Sequence, residues 1–140
     1  MQPSKTTVIG LFNAPFQYQI PIFQRGYVWT REKQVAPLWS DIQSQADALL
    51  ERQQLTSGAT TAMKPLPKHF LGSIVMTPVP NAFGRVPMYE VIDGQQRCTT
   101  LHLLLLAMHH AAKDSGQTSV AQMAAAVVRN PGPYLVDAND

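Results

Sequence analysis

The alternation of apolar and polar residues predicts a short early strand and two strands after residue 68. Every second residue of "YQIPI" is apolar or aromatic, which is the period of a strand. Pro21 has no N–H to donate to a neighbour, so we expect this strand at an edge of the sheet. Residues 69–77, "HFLGSIVMT", and 86–93, "VPMYEVID", form the predicted hairpin around "PVPNAFGR".

Apolar residues at helical spacing predict three helices. The first begins near Pro37, because proline is tolerated in the first turn of a helix. The second covers about residues 95–112 and the third about 120–129. We expect the first helix to bury one face, and the second to be the central helix of the fold. The faces expected to be buried contain Trp39, Ile42, Ala46, Leu49 and Leu50 in the first helix, and Leu101, Leu104, Leu105 and Met108 in the second.

The order β, α, β, β, α, α predicts an α/β (α+β-like) fold, in which a small mixed β-sheet packs with helices. A length of 140 residues is enough for one domain. We therefore expect residues 1–140 to form a single domain and to be the N-terminal part of a longer protein. The core motifs lie in residues 15–112, and residues 113–140 begin a helical extension.

Composition narrows the class of protein. The chain is 45% hydrophobic and 14% charged, which excludes a disordered polyelectrolyte. Its single cysteine, Cys98, excludes an internal disulfide and fits a reducing compartment. No signal peptide precedes Asn13, and the longest apolar run, residues 103–108, is too short to span a membrane. These features predict a cytoplasmic protein with no membrane partner.

The charge distribution is more informative than the net charge of +2. Residues 52–89 contain no acidic side chain, although they include Lys64, Lys68 and Arg85. Such a stretch favours contact with DNA phosphates. A solvated loop explains the same pattern, so both interpretations stay open.

A polar segment, "DGQQR" (residues 93–97), lies where the last strand meets the central helix. Asp93 is expected at or beside the N-cap, where its carboxylate can accept a hydrogen bond from a first-turn N–H. Gly94 allows a tight turn and the close approach of a ligand. The positive end of the helix dipole and the Arg97 guanidinium favour a phosphate. A plain helix cap accounts for the same residues, and it stays an alternative.

Three segments together resemble a known family: residues 20–42, 69–76 and 90–108. Their order and form are similar to those of the GmrSD restriction-endonuclease N-terminal domain family, whose fold resembles that of ParB and sulfiredoxin. The family motif, Asp-Gly-Gln-Gln-Arg followed by Thr, is nearly intact here, except that Cys98 stands where an aliphatic residue is more usual.

The resemblance implies a nucleotide-binding, NTP-hydrolysing domain of a modification-dependent restriction system in anti-phage defence. It implies Mg²⁺ and a nucleoside triphosphate of unknown base as cofactors, and modified phage DNA as a partner. An HNH-type nuclease domain would lie in the same longer chain or in a partner subunit. Two alternatives stay open: a non-catalytic DNA-recognition module that senses modified DNA, and a structural partner domain.

The resemblance also implies catalytic roles for four residues of the motif. Asp93 would hold Mg²⁺ or orient the attacking water. Gln95 and Gln96 would position water or the γ-phosphate, and Arg97 would stabilise the charge that develops on the transferred phosphoryl group.

Further residues are expected to bind the nucleotide. Gln24 and Arg25 would converge on the same cleft, and Gly72 would allow close approach of the backbone or form a bulge. Tyr27 and Trp29 would stack on the base, although aromatic residues at this spacing are more often part of a core. The motif itself would add Gly94, Thr99 and Thr100. A metal site at Cys98 and His102 lacks an evident third ligand.

Overall fold

The computed structural model describes residues 3–23, 26–56, 66–80 and 86–128. The chain divides into two compact units. The sheet unit consists of Met1–Arg25 and Ile74–Asp140, and the α2 unit consists of Gly26–Ser73. Each unit is described by itself.

The sheet unit contains three strands: β1 (Gln17–Gln19), β2 (Val75–Val79) and β3 (Met88–Asp93). Their order is β1-β3-β2, with β1 parallel and β2 antiparallel to β3. This confirms the small mixed sheet and the edge position of the first strand. Val91, in the central strand, is fully buried. The predicted strand at residues 69–77 begins later, at Val75, because Val75 pairs with Asp93, the last residue of β3.

A short helix that the sequence pattern does not predict, α1 (Val8–Phe12), precedes β1. The Thr7 hydroxyl caps it by accepting a hydrogen bond from the Gly10 N–H at 3.0 Å. Leu11 is buried, and its carbonyl accepts a hydrogen bond of 2.8 Å from the Tyr18 hydroxyl. This bond ties the end of α1 to β1. Five residues are too few to produce a helical period.

Two helices follow β3: α3 (Gln95–Asp114) and α4 (Thr118–Val128), which pack against each other. Small side chains, Ala121 and Ala124, form the buried face of α4. The Nδ1–H group of His109 donates a hydrogen bond of 2.8 Å to the Ala121 carbonyl. The buried residues of α3 are Cys98, Thr100, Leu101, His109 and Ala112.

The core face predicted for the central helix is therefore partly wrong. Leu101 is buried as expected, and Leu104 and Leu105 are half-buried. Met108 is 43% exposed, because the short residues of α4 pack against the neighbouring face of α3 around His109 instead.

In the α2 unit, a π-helical turn (Arg31–Val35) leads directly into α2 (Ala36–Thr56). Thr30 caps this turn: its hydroxyl accepts from the Lys33 N–H, and its own N–H donates to the Gln34 side chain at 2.9 Å. The face of α2 that the sequence predicts to be buried is largely exposed. The side chains of Trp39, Leu49 and Leu50 are each about half exposed. That expectation was wrong, because the described part of this unit contains no further helix or strand that could cover the face.

Among the described residues, no helix is long and apolar enough to cross a membrane.

Candidate functional site

The junction of β3 and α3, residues 93–97, is called the elbow. β3 ends at Asp93, Gly94 is the N-cap residue, and α3 begins at Gln95. Gly94 has φ 89° and ψ 14°, a left-handed conformation that residues with a Cβ atom rarely adopt. A glycine N-cap also has no side chain with which to accept from the first-turn N–H groups. The elbow therefore begins a long helix without a side-chain cap.

Asp93 lies beside the N-cap, one residue earlier than a capping side chain. Its Oδ1 accepts a hydrogen bond of 2.8 Å from the Gly94 N–H. The sequence predicts a bond from a first-turn N–H instead, so this detail of the prediction is wrong. Asp93 is exposed, and within the described ranges its Oδ2 has no protein partner. This oxygen is accessible from solvent at the mouth of the helix.

Gln95, the first residue of α3, turns its side chain back towards the strand. Its Nε2 donates to the Val91 carbonyl at 3.0 Å and to the Ile92 carbonyl at 2.5 Å. The side chain is half-buried. Gln95 thus fastens the start of the helix to the end of β3. The catalytic role of Gln95 stays a prediction. The structure adds a second role, which is to hold the start of α3 against the end of β3.

The remaining motif residues lie in the first two turns of α3. Gln96, Arg97 and Thr99 are half-buried, and Thr100 is buried. The Thr100 hydroxyl donates to the Gln96 carbonyl at 2.7 Å, so in this rotamer its proton is not directed at a ligand. Phosphate contacts from Gln96, Arg97 and Thr99 stay predictions.

A groove of about 870 Å³ lies in the sheet unit between the end of α1, β1, β3, α3 and α4. Aromatic side chains line it, among them Phe12 and His102, whose rings stack with centroids 5.4 Å apart and planes inclined by 30°. Cys98 and Thr99 contribute the α3 side. The sequence pattern does not indicate this groove, because it does not predict α1, the element that carries Phe12.

Two titratable groups of this groove have raised pKa values. Burial raises the pKa of the Cys98 thiol. Burial also raises the pKa of the Tyr18 phenol, with smaller contributions from the nearby Cys98 and Tyr89. Both groups therefore stay protonated and neutral around neutral pH, and the groove carries no negative charge from them.

Several residues that the sequence associated with nucleotide or DNA belong to the α2 unit. Tyr27 is 48% exposed, Trp29 is half-buried, and Gly72 has a positive φ of 108°. Lys68 is exposed. Their predicted roles stay predictions. Four further residues lie outside the described ranges: Gln24, Arg25, Lys64 and Arg85.

The residues of the elbow fit a magnesium–phosphate group but not an all-protein metal site. Within the described ranges, no three His, Cys, Asp or Glu side chains lie together. Mg²⁺ is usually bound by one or two carboxylates together with phosphate oxygens and water. Asp93, exposed and with one oxygen beyond its bond to Gly94, can supply such a carboxylate.

A family model described as the N-terminal domain of the GmrSD restriction endonuclease matches residues 8–133. The chain belongs to this family. Among curated proteins and among solved structures, no significant match is found. As a GmrSD N-terminal domain, the chain is part of a restriction system that acts on DNA and has an associated nuclease domain. The match includes the elbow and all three segments on which the resemblance rests.

Proposed function

We propose that this GmrSD N-terminal domain binds and hydrolyses a nucleoside triphosphate within a cytoplasmic, modification-dependent restriction system that defends against phage. The observation that carries the proposal is the elbow, where α3 begins at a left-handed glycine without a side-chain cap. Family membership supports the setting, because restriction systems of this kind act on DNA through a nuclease domain.

The phosphates of the nucleotide would lie at the first turn of α3. The N–H groups of a first turn have no partner within the helix, and the helix dipole adds partial positive charge there. Gly94 has no Cβ atom to keep a phosphate away from the backbone. Arg97 adds a positive charge to the same turn, and its planar guanidinium suits phosphate oxygens.

Asp93 would hold the Mg²⁺ that accompanies the triphosphate. The ion would supply charge neutralisation at the phosphate oxygens. Asp93 reaches the mouth of the helix with its orientation fixed by the bond from the Gly94 N–H. Gln96 and Arg97, in the first turn of α3, would position the attacking water and stabilise the developing charge.

The partners that we propose are modified phage DNA and an HNH-type nuclease domain in a longer chain or another subunit. A non-catalytic DNA-recognition module is the second candidate. Of the three basic residues that motivate it, the structure describes Lys68, which is exposed. The elbow favours the nucleotide-hydrolysing function over this candidate.

Phosphate release with Mg²⁺ tests the proposal. Wild type would be compared with Asp93→Ala and Arg97→Ala, using Asp114→Ala at the opposite end of α3 as the matched control. We expect each elbow variant to lose about a hundredfold or more in rate, as expected when a group that stabilises the transition state is removed. Asp114→Ala should retain the wild-type rate. Equal rates in all four proteins would contradict the catalytic assignment.

A further inference from the structure

We propose that the groove between α1 and α3 is the site for the nucleobase, so that the nucleotide lies along α3 with its phosphates at the elbow. This inference rests on the proposed function, and it assigns the base to the sheet unit rather than to Tyr27 and Trp29. The ligand class is a planar heterocycle joined through a sugar to a polyphosphate.

The helical spacing places the groove residues of α3 on the same face as Gln95, the first residue of the helix. Gln95, Cys98, Thr99 and His102 are separated by three, one and three residues, so they form one stripe along the helix. With a rise of 1.5 Å per residue, Thr99 lies about 6 Å and His102 about 10 Å along the axis from Gln95. That span is comparable to the distance from the terminal phosphate of a nucleotide to its base. Cys98, Thr99 and His102 all line the groove.

The surface of the groove suits a base. Phe12 and His102 form a stacked pair, and Phe16 and Tyr18 add further aromatic surface nearby. Every base has a π-face, so aromatic side chains bind bases through stacking whatever their identity. A volume of about 870 Å³ falls within the range of small-molecule sites.

The groove also has polar groups at its border. Thr99 supplies a hydroxyl from α3, and Asn13 and Gln17 lie on the opposite wall. These groups can pair with the edge of a base or with the sugar hydroxyls, whereas Cys98 and Tyr18 stay neutral. A groove with aromatic walls and few neutral polar groups accepts an uncharged heterocycle better than a phosphate.

The inference is tested by measuring binding of two classes of probe with Mg²⁺ by calorimetry, using the full 140-residue chain. The first class is the four common nucleoside triphosphates in non-hydrolysable form, and the second is inorganic triphosphate. The variants are His102→Ala, Phe12→Leu and the conservative His102→Phe. His110→Ala, an exposed histidine of the same helix, is the matched control.

We expect His102→Ala and Phe12→Leu to weaken nucleotide binding by about fivefold or more and to leave inorganic triphosphate unchanged. His102→Phe, which keeps an aromatic ring, should bind nucleotide within about twofold of wild type on the same stacking argument. Thermal unfolding without ligand identifies any variant that fails to fold. Because the His102 side chain is exposed, its two variants keep the test decisive even where Phe12→Leu unfolds.

Two other results would separate the base site from the proposed function. If nucleotide and inorganic triphosphate bind equally and no groove variant changes either, the base site is wrong and the phosphate site stands. If neither probe binds, the proposed function fails and the base site with it. A short single-stranded oligodeoxynucleotide is the last probe. If His102→Ala lost binding of the oligodeoxynucleotide but kept binding of the nucleotides, the groove would be a site for DNA bases and the inference would be overturned.

Discussion

Replacing Gln95 by methionine separates a structural role of this residue from a catalytic one. Methionine has a similar length and a similar helix propensity, but it has no N–H donor. The variant therefore removes the two hydrogen bonds that the Gln95 side chain donates to Val91 and Ile92 and leaves the rest of the elbow unchanged.

The expected loss follows from these two bonds. A typical intramolecular hydrogen bond contributes about 0.5–1.5 kcal/mol net, so the pair contributes about 1–3 kcal/mol to the free energy of unfolding. A chain of this length has a melting temperature that changes by about 4 °C per kcal/mol. Gln95→Met should therefore melt about 4–12 °C below wild type. Gln122→Met in α4 is the control: that glutamine is exposed, and no hydrogen bond of its side chain is seen among the described residues.

Thermal and urea unfolding, followed by circular dichroism, measure the loss in two independent ways. The nucleotide dissociation constant should also rise, because the start of α3 is no longer fastened to β3. A variant as stable as wild type, with normal nucleotide binding but no phosphate release, would refute this reasoning. Gln95 would then be the catalytic residue that the sequence resemblance implies.

Two further predictions concern the glycine and the cysteine of the same region. Gly94→Ala should lower the free energy of unfolding by about 1–2 kcal/mol, because the φ of 89° is strained for alanine, and it should also weaken nucleotide binding. Gly116→Ala is the control. That glycine has φ 73° and open space around a Cβ, so the variant should lose similar stability in urea unfolding without affecting binding. Burial raises the pKa of Cys98 above its ordinary value of 9.0, so the folded state keeps a proton that the unfolded state releases. The thiol therefore leaves the free energy of unfolding unchanged below about pH 9 and lowers it as the pH rises further. Urea titrations at pH 7 and pH 10 should show a smaller loss of stability between the two pH values in Cys98→Ser than in wild type. An equal loss in both proteins would contradict this prediction.

The beginning of a helix is predicted best from the sequence where the residues at that position determine it. The beginning of α3 at Gln95 follows from an Asp-Gly pair between an alternating segment and a helical one. The cap at Thr30 is likewise local, because it joins residues four positions apart. Burial is harder to predict, because it depends on which partner packs against a face. Leu103 is apolar and yet 54% exposed, whereas His109 is polar and buried through its bond to Ala121.

The candidate site shows the same division between local and tertiary information. The motif residues and their position at a helix start are local, so the sequence identifies them. The groove is not local: α1 brings Phe12 to His102 across ninety positions of the chain. Likewise, nothing in the order of residues indicates that Gln95 bonds to the strand, because both glutamines of the motif have the same chemistry. A contact of this kind depends on the turn made by Gly94.

The way in which the helical segments begin supports a functional elbow. At α1 and at the π-helical turn, threonine hydroxyls accept from backbone N–H groups three residues later. α3 is much longer than either, yet it begins at a glycine in a left-handed conformation. Replacing a capping side chain by glycine lowers stability by a few tenths of a kcal/mol, so selection for stability alone would favour a capping residue there. α3 thus lacks the side-chain cap that α1 and the π-helical turn have, and it lacks it at the motif on which the family resemblance rests. This pattern is expected where a ligand takes the place of the cap.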